Sequence, residues 1–422
     1  LPSTAAGTLD INADKVSTGK GIFAVAGFDQ VNLTANQQLT ATEQGTLKVN
    51  ADLNLAVTTL TANGKGDLHV DASGHQAVLN STGLNEQVGA QELTGALAVT
   101  ADEVTLNTHV VLPSGQLKLH ALMGDVKLGE LAKVDLSGRQ IHFTDSIVAS
   151  AGGILDINSE HGNIAFSGGT SVNLQGGASD VSGGQLKLSA TDGTVKLAGD
   201  IKAENGSIEL DQANFATQGG LNDIASKVAA AGIDRAIKIR TRLDDMVLAQ
   251  GHSIVAEDVF LTADTGKIEV QGSIVANNNK GGTIQLSAAD KVILEAGGDI
   301  KTTGTGDNAG KVLLNSVDAD LDGLHGIELK NGGSVDVAGI DGAKGQVVLR
   351  ALRIDTDNNA VDDDIAIAAI DSDIKGVDSF QAEGVKIYRG QDLQVSGQIR
   401  QTDINKFNTD ADQFMTIANR QN

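Results

Sequence analysis

With 422 residues, no cysteine, no tryptophan and only 2% aromatic side chains, the chain excludes disulfide staples, thiolate metal sites and cysteine nucleophiles, and lacks the rings that fill an ordinary globular core. Its net charge of −23 opposes nucleic acid and anionic membrane as partners, and no apolar run approaches the roughly 20 residues that span a bilayer, so neither nucleic-acid binding nor membrane insertion is expected. Hydrophobic residues at 40%, with 51 glycines, are too many for disorder and suit a narrow interior of stacked Val, Leu, Ile and Ala.

From the first residues onward one pattern recurs, Gly-x-apolar-x-apolar. It stands as GTLDI at Gly7, GTLKV at Gly45, GDLHV at Gly66, GALAV at Gly95, GQLKL at Gly115, GILDI at Gly153, GQLKL at Gly184 and GSIEL at Gly206. Close neighbours are about 20 to 30 residues apart, the interval of repeat architectures. Within one unit, GGQLKLSATDGTVKLAGDIKA from Gly183 to Ala203, apolar residues alternate with polar ones in three short runs. Thr-Asp-Gly and Ala-Gly-Asp between them are turn-forming, because Gly accepts positive φ and Asp bonds its own backbone. Strand, turn, strand, turn, strand, repeated one layer up, predicts an all-β fold: a right-handed parallel β-helix, or solenoid, with coils over residues 1–211. At about 4.8 Å per coil, roughly 15 to 19 coils would make a rod on the order of 70 to 90 Å long.

Residues 212–250 break the rhythm. Leu221, Ile224, Ala225 and Val228 fall at helical spacing and Gly232 stands as a stop, predicting a short helix over 221–231 inserted between coils, either a projection that marks a binding face or a plug over a seam. The pattern resumes over 251–350, with GKIEV at Gly266, GTIQL at Gly282, GKVLL at Gly310 and GQVVL at Gly345. Residues 351–400 read as an acidic loop and further strands. In the last segment, 401–422, Ile404, Phe407, Ala411, Phe414, Met415 and Ala418 share one helical face, and Thr409 with Asp412 makes a capping box. This helical tail would lie over an open sheet end or dock on a further segment.

The chemistry-bearing residues form few constellations. Eight histidines are scattered without metal-ligand spacing, and neither a nucleophile elbow nor a phosphate-binding loop is present. GTGDNAG at Gly304 reads as a turn. In DTDNNAVDDD, Asp355, Asp357, Asn359 and Asp362 alternate like the first ligands of a calcium loop, but Ala366 stands where a bidentate Glu belongs and the central Gly is missing. The stretch is therefore read as a solvated acidic loop, with calcium as the alternative. No catalytic residue, cofactor or metal is assigned. Asn32, Asn80 and Asn205 stand in acceptor patterns for N-linked sugar, and the start at Leu1 reads as a mature product or an excerpt.

With GGTIQLSAADKVILEAGGDIKT, the GxIxA endings, SFQAEGVKIYRGQDL and DADQFM in view, the chain resembles the filamentous haemagglutinin-like adhesins of two-partner secretion. The resemblance covers most of the chain. The N-P-N-G and N-S-N-L motifs of the family's secretion domain are absent, which implies an internal or carboxy-terminal portion. It implies export through an outer-membrane two-partner transporter, secretion to the cell surface of a Gram-negative bacterium, and a non-catalytic structural role. That role would be attachment to host or bacterial surfaces or to extracellular polysaccharide, biofilm matrix, or self-association into filaments. The alternatives are a polysaccharide-active β-helix enzyme and a phage or surface fibre subunit.

Overall fold

The computed structural model describes residues 7–84, 92–279, 281–304, 309–317, 326–356, 361–389, 394–395 and 398–416. The chain divides into two compact units, residues 1–244 with 254–258, and residues 245–253 with 259–422.

In the first unit the recurrent motif explains the packing directly. Thr8–Thr18, Gly21–Ala41, Gln44–Ala62, Asp67–Asn80 and Ala96–Asn107 pair in succession, each parallel to the next. Further along, register places like on like. Leu97, Leu117, Leu155, Leu186, Ile208 and Ile237 form one row, and Val99, Leu119, Ile157, Leu188, Leu210 and Ile239 a second. All twelve are buried, and each such side chain contributes about 1.5–3 kcal/mol on leaving water. The motif's glycine is demanded by the neighbouring strand: a Cβ on Gly115 would lie 2.2 Å from the Gly95 carbonyl oxygen, and one on Gly153 2.1 Å from that of Gly115.

The expected right-handed parallel β-helix, one discrete coil after another, is corrected by the pairing pattern. Gln185–Leu197 runs on through Thr191-Asp192-Gly193, which reads as a turn, and both it and Ala96–Asn107 pair along two stretches. Ala96–Asn107 meets Gln116–Ala121 and Val126–Leu128, while Gln185–Leu197 meets Ile154–Ser159 and Ile164–Phe166. Because Gln116–Ala121 also pairs with Ile154–Ser159, and Val126–Leu128 with Ile164–Phe166, the six strands close into a parallel barrel with other strands ranged round it. The physical reason lies at Thr191-Asp192-Gly193. The chain absorbs these residues as a register shift between Ala190 and Thr194 inside one strand instead of breaking there.

Buried hydroxyls satisfy the backbone where strands bend. Ser159 Oγ donates to the Gly124 carbonyl at 2.7 Å and accepts from Gly162 N–H at 3.0 Å, and Thr170 Oγ1 donates to the Leu128 carbonyl at 2.9 Å. The expected helix is α1, Leu221–Ala230, with Leu221, Ile224, Ala225 and Val228 buried, and it ends before Gly232 at φ 71°.

The second unit repeats the parallel arrangement in three sets. Met246–Leu248, Ile268–Val270, Val292–Leu294 and Ile327–Leu329 form one. Ser273–Asn277, Asp299–Thr303, Ser334–Asp336 and Asp373–Lys375 form another. The third is Thr283–Ala288, Lys311–Ser316, Gly345–Ile354 and Val377–Val385.

Helix α2 spans Gln401–Thr416, which corrects the expectation for its start and its face. Thr409 lies mid-helix, its hydroxyl donating to the Asn405 carbonyl at 2.9 Å. The capping contact belongs to buried Asp403, which accepts from Arg400 N–H at 2.8 Å and Gln394 N–H at 3.0 Å. Only Asp403 and Phe414 are buried in α2, while Ile404 and Met415 are exposed and Ala418 lies outside the described residues. Phe380 and Ala382, whose register partners Val347 and Leu349 are buried, stay exposed, whereas the Phe414 ring lies against Gly384, the partner of buried Ala351, so α2 covers the inward row of Val377–Val385 only at that end.

Candidate interaction site

The first unit departs from its layered pattern most sharply between Lys133–Asp135 and Ile154–Ser159. Here Gln140–His142 and Ile147–Ala149 form an antiparallel hairpin in a unit whose other strand pairs among the described residues are parallel, with Ile141 opposite Val148 and His142 opposite Ile147. Thr144 and Asp145 make the turn, closed by Phe143 N–H donating to the Ser146 carbonyl at 2.8 Å. Side-chain alternation puts Ile141, Phe143 and Val148 on one face and Ile147 on the other. Their exposures are 37% for Ile141, 59% for Phe143 and 51% for Val148 on the first face and 60% for Ile147 on the second, an apolar ribbon exposed on both faces, of the kind that marks an interaction surface.

The base of this ribbon is held firmly. Arg139 Nη2 donates to Asp135 Oδ2 at 2.8 Å, and Arg139 N–H donates to Ser150 Oγ, also at 2.8 Å. Ser150 N–H returns a bond to the Arg139 carbonyl at 2.9 Å, and Ser114 Oγ donates to the Ala151 carbonyl at 2.7 Å. Burial acts to raise the Asp135 pKa, but hydrogen bonds from Ser137 and Arg139 outweigh it and hold the carboxyl below its ordinary range. Gly138 permits the close passage, since a Cβ there would sit 1.9 Å from the Ser150 carbonyl oxygen. Beside the hairpin lies a cleft of about 590 Å³ lined by Gly64, Glu92, Leu93, Arg139, Gln140, Ile141 and His142.

The repeat pattern alone does not reveal this hairpin. One signal is present: Gly115 to Gly153 is a longer interval than its neighbours, and RQIHFTDSIVAS within it alternates Ile and Phe up to a Thr-Asp turn.

Helix α1, expected as either a projection or a plug over a seam, lies against the layers. Lys227 Nζ donates to the carbonyls of Gly199 at 2.7 Å and Ala198 at 3.3 Å, and the helix walls a cleft of about 460 Å³ with Val195, Leu197 and Phe215.

Of the calcium candidates, only Asp355 and Asp362 lie among the described residues. Asp355 lies just past the end of strand Gly345–Ile354, and Asp357 and Asn359 lie outside the described residues, as do residues 305–308 of the GTGDNAG turn. Asp362 is engaged by Lys386 at 2.9 Å, within a knot that docks α2. There Tyr388 donates to Asp410 at 2.7 Å and stacks on Phe407 with centroids 4.0 Å apart, while the Arg353 guanidinium lies 4.3 Å from the Phe414 ring centroid. Burial and the Asp410 carboxylate together push the Tyr388 phenol well up. Burial acts to lower the Lys386 pKa, but Asp362 and Asp410 outweigh it and raise it. Among the described residues no three His, Asp or Glu side chains gather as a metal site. Two of the histidines pair singly across layers, His120 with Glu160 at 2.8 Å and His161 with Asp192 at 2.7 Å. No helix among the described residues is long and apolar enough to cross a membrane.

Comparison with protein-family models, with curated proteins and with solved structures finds no match.

Proposed function

We propose that this chain is a non-catalytic structural part of a secreted adhesin, in which stacked parallel strands form a stiff framework and the 140–149 hairpin makes the contact. The observation that carries the reading is the apolar ribbon of Ile141, Phe143, Ile147 and Val148, held in water by a base of hydrogen bonds at Asp135, Ser137, Arg139 and Ser150. Keeping such side chains exposed costs solvation free energy that a partner surface recovers on contact. The resemblance to two-partner secretion exoproteins supports the rest: export through an outer-membrane transporter, location on the outside of a Gram-negative cell, and host or bacterial surfaces or extracellular polysaccharide as the target.

The mechanism is mechanical and multivalent, with many copies each adding a modest contact. The test is retention of labelled chain on bacterial cells, host cells and immobilised polysaccharide, with uronate polymers assayed in parallel for cleavage. Retention without cleavage supports the proposal; turnover of the polymer by the purified chain overturns it.

A further inference from the structure

We infer that Asn331 is a site of self-modification, at which the backbone nitrogen of Gly332 attacks the Asn331 carboxamide and converts it to aspartate and isoaspartate without an enzyme. The fold holds Asn63-Gly64 and Asn205-Gly206, the other Asn-Gly pairs of the chain, against the same change. This inference goes beyond the adhesin reading and does not rest on it.

The chemistry needs only water. The Gly332 nitrogen gives its proton to solvent and forms a bond to Asn331 Cγ, closing a cyclic imide. The Cγ–Nδ2 bond breaks, and Nδ2 takes up a proton and leaves as ammonia. Water then opens the imide at either carbonyl. One opening gives aspartate, and the other gives isoaspartate, in which the main chain runs through Cγ. Glycine after the asparagine favours attack because no Cβ crowds its nitrogen. An intramolecular attack of this kind is governed by how freely the two groups can meet, so the hydrogen bonding of each Gly N–H sets the order among the sites.

At Asn331 both groups are open. Residues 330–333 form a tight turn, closed by Gly333 N–H donating to the Lys330 carbonyl at 3.0 Å, with Gly332 in its third place at φ 85°. The turn repeats those at 249–252 and 295–298 in the same unit, where His252 N–H donates to Ala249 at 3.1 Å and Gly298 N–H to Glu295 at 2.9 Å. Gly297, the counterpart of Gly332, spends its N–H on the Gly332 carbonyl at 2.8 Å. Gly332 N–H has no such partner among the described residues, and neither does the Asn331 carboxamide. Both residues are exposed.

The other two pairs are tied. Gly64 N–H donates to Glu92 Oε2 at 2.8 Å. Gly206 is buried and its N–H donates to the Ala203 carbonyl at 2.9 Å, while Asn205 Nδ2 donates to the Ser179 carbonyl at 2.9 Å. Each must give up a hydrogen bond before its nitrogen can attack. One bond of about 1 kcal/mol corresponds to about fivefold in rate. Conversion at Asn331 places a new carboxylate beside Lys330, and the isoaspartate form lengthens the main chain inside the turn.

Peptide mapping by mass spectrometry, with isoaspartate detected by enzymatic methylation, reads all three sites in one sample. In the folded chain incubated at mildly alkaline pH, Asn331 should convert at least about fivefold faster than Asn63 and Asn205. In denaturant the three rates should converge. Glu92→Ala should speed conversion at Asn63 and leave Asn331 unchanged. An intact Asn331, conversion at Asn63 or Asn205 as fast as at Asn331, a lead that persists in denaturant, or an Asn63 rate indifferent to Glu92→Ala in the folded chain would overturn the proposal. The comparison of folded and denatured unmodified chain decides even if Glu92→Ala fails to fold.

Discussion

At the scale of single residues, the recurring glycine is a steric requirement. Gly95, Gly115, Gly153 and Gly184 follow one another down the first unit, each passing so close to its neighbour that a methyl group has no room. The Cβ of Gly153→Ala would lie 2.1 Å from the Gly115 oxygen, so the two strands must separate. Overpacking of this kind costs about 1–3 kcal/mol. Chemical denaturation should show Gly153→Ala destabilised by that amount, whereas Gly168→Ala, where a Cβ meets nothing within 4 Å, should be close to neutral. Tyr388 makes a second residue-scale case. Tyr388→Phe keeps the stack on Phe407 but leaves Asp410 without its phenol donor, and should cost about 1 kcal/mol, read as faster amide exchange in α2.

At the scale of elements, successive strands of the second unit carry interleaved charge. Lys267 Nζ bonds Glu269 at 2.7 Å, and Lys330 Nζ bonds Glu295 at 2.6 Å. The hydrogen bond from Lys267 is the largest influence on Glu269 and lowers its pKa from 4.5; burial opposes it, and Gln271 and Lys330 add to the lowering. A carboxyl lowered in the folded state stabilises the protein above its unfolded value and loses that contribution as pH falls through the folded one. Glu269→Gln should therefore lose about 1 kcal/mol at neutral pH, given partial solvent screening. Melting curves should show the gap to the unmodified chain narrowing as pH drops below 4.5. The same sign applies to Asp135: Asp135→Asn should speed amide exchange over 140–149 at neutral pH and leave it little changed in strong acid.

Elements also show what sequence can and cannot reveal. The in-facing rows are legible because alternation in GQLKL or GILDI reports one buried face. So is α1, because Leu221, Ile224, Ala225 and Val228 have helical spacing. Strand ends are not: Thr191-Asp192-Gly193 has turn chemistry, yet parallel neighbours on both sides hold it inside one strand and close the six-stranded barrel. Thr409 mimics a helix entrance, whereas the true cap of α2 uses Asp403 reaching back to Arg400, which occupies the position where a capping box has its Ser or Thr. The hairpin is hidden because its apolar residues face water, and periodicity alone assigns such residues to a core.

At the scale of the whole molecule, the proposed function assigns framework and contact to separate parts of the chain. The layered strands use most of the apolar sequence to bury one another, and the hairpin holds four large apolar side chains in water. The most direct measurement compares surface attachment by the unmodified chain with attachment by a chain whose residues 140–149 are replaced by a two-residue Asn-Gly turn, both checked for the same melting temperature. The shortened chain should keep its fold and lose attachment; attachment that survives the replacement would contradict the hairpin's role as the contact.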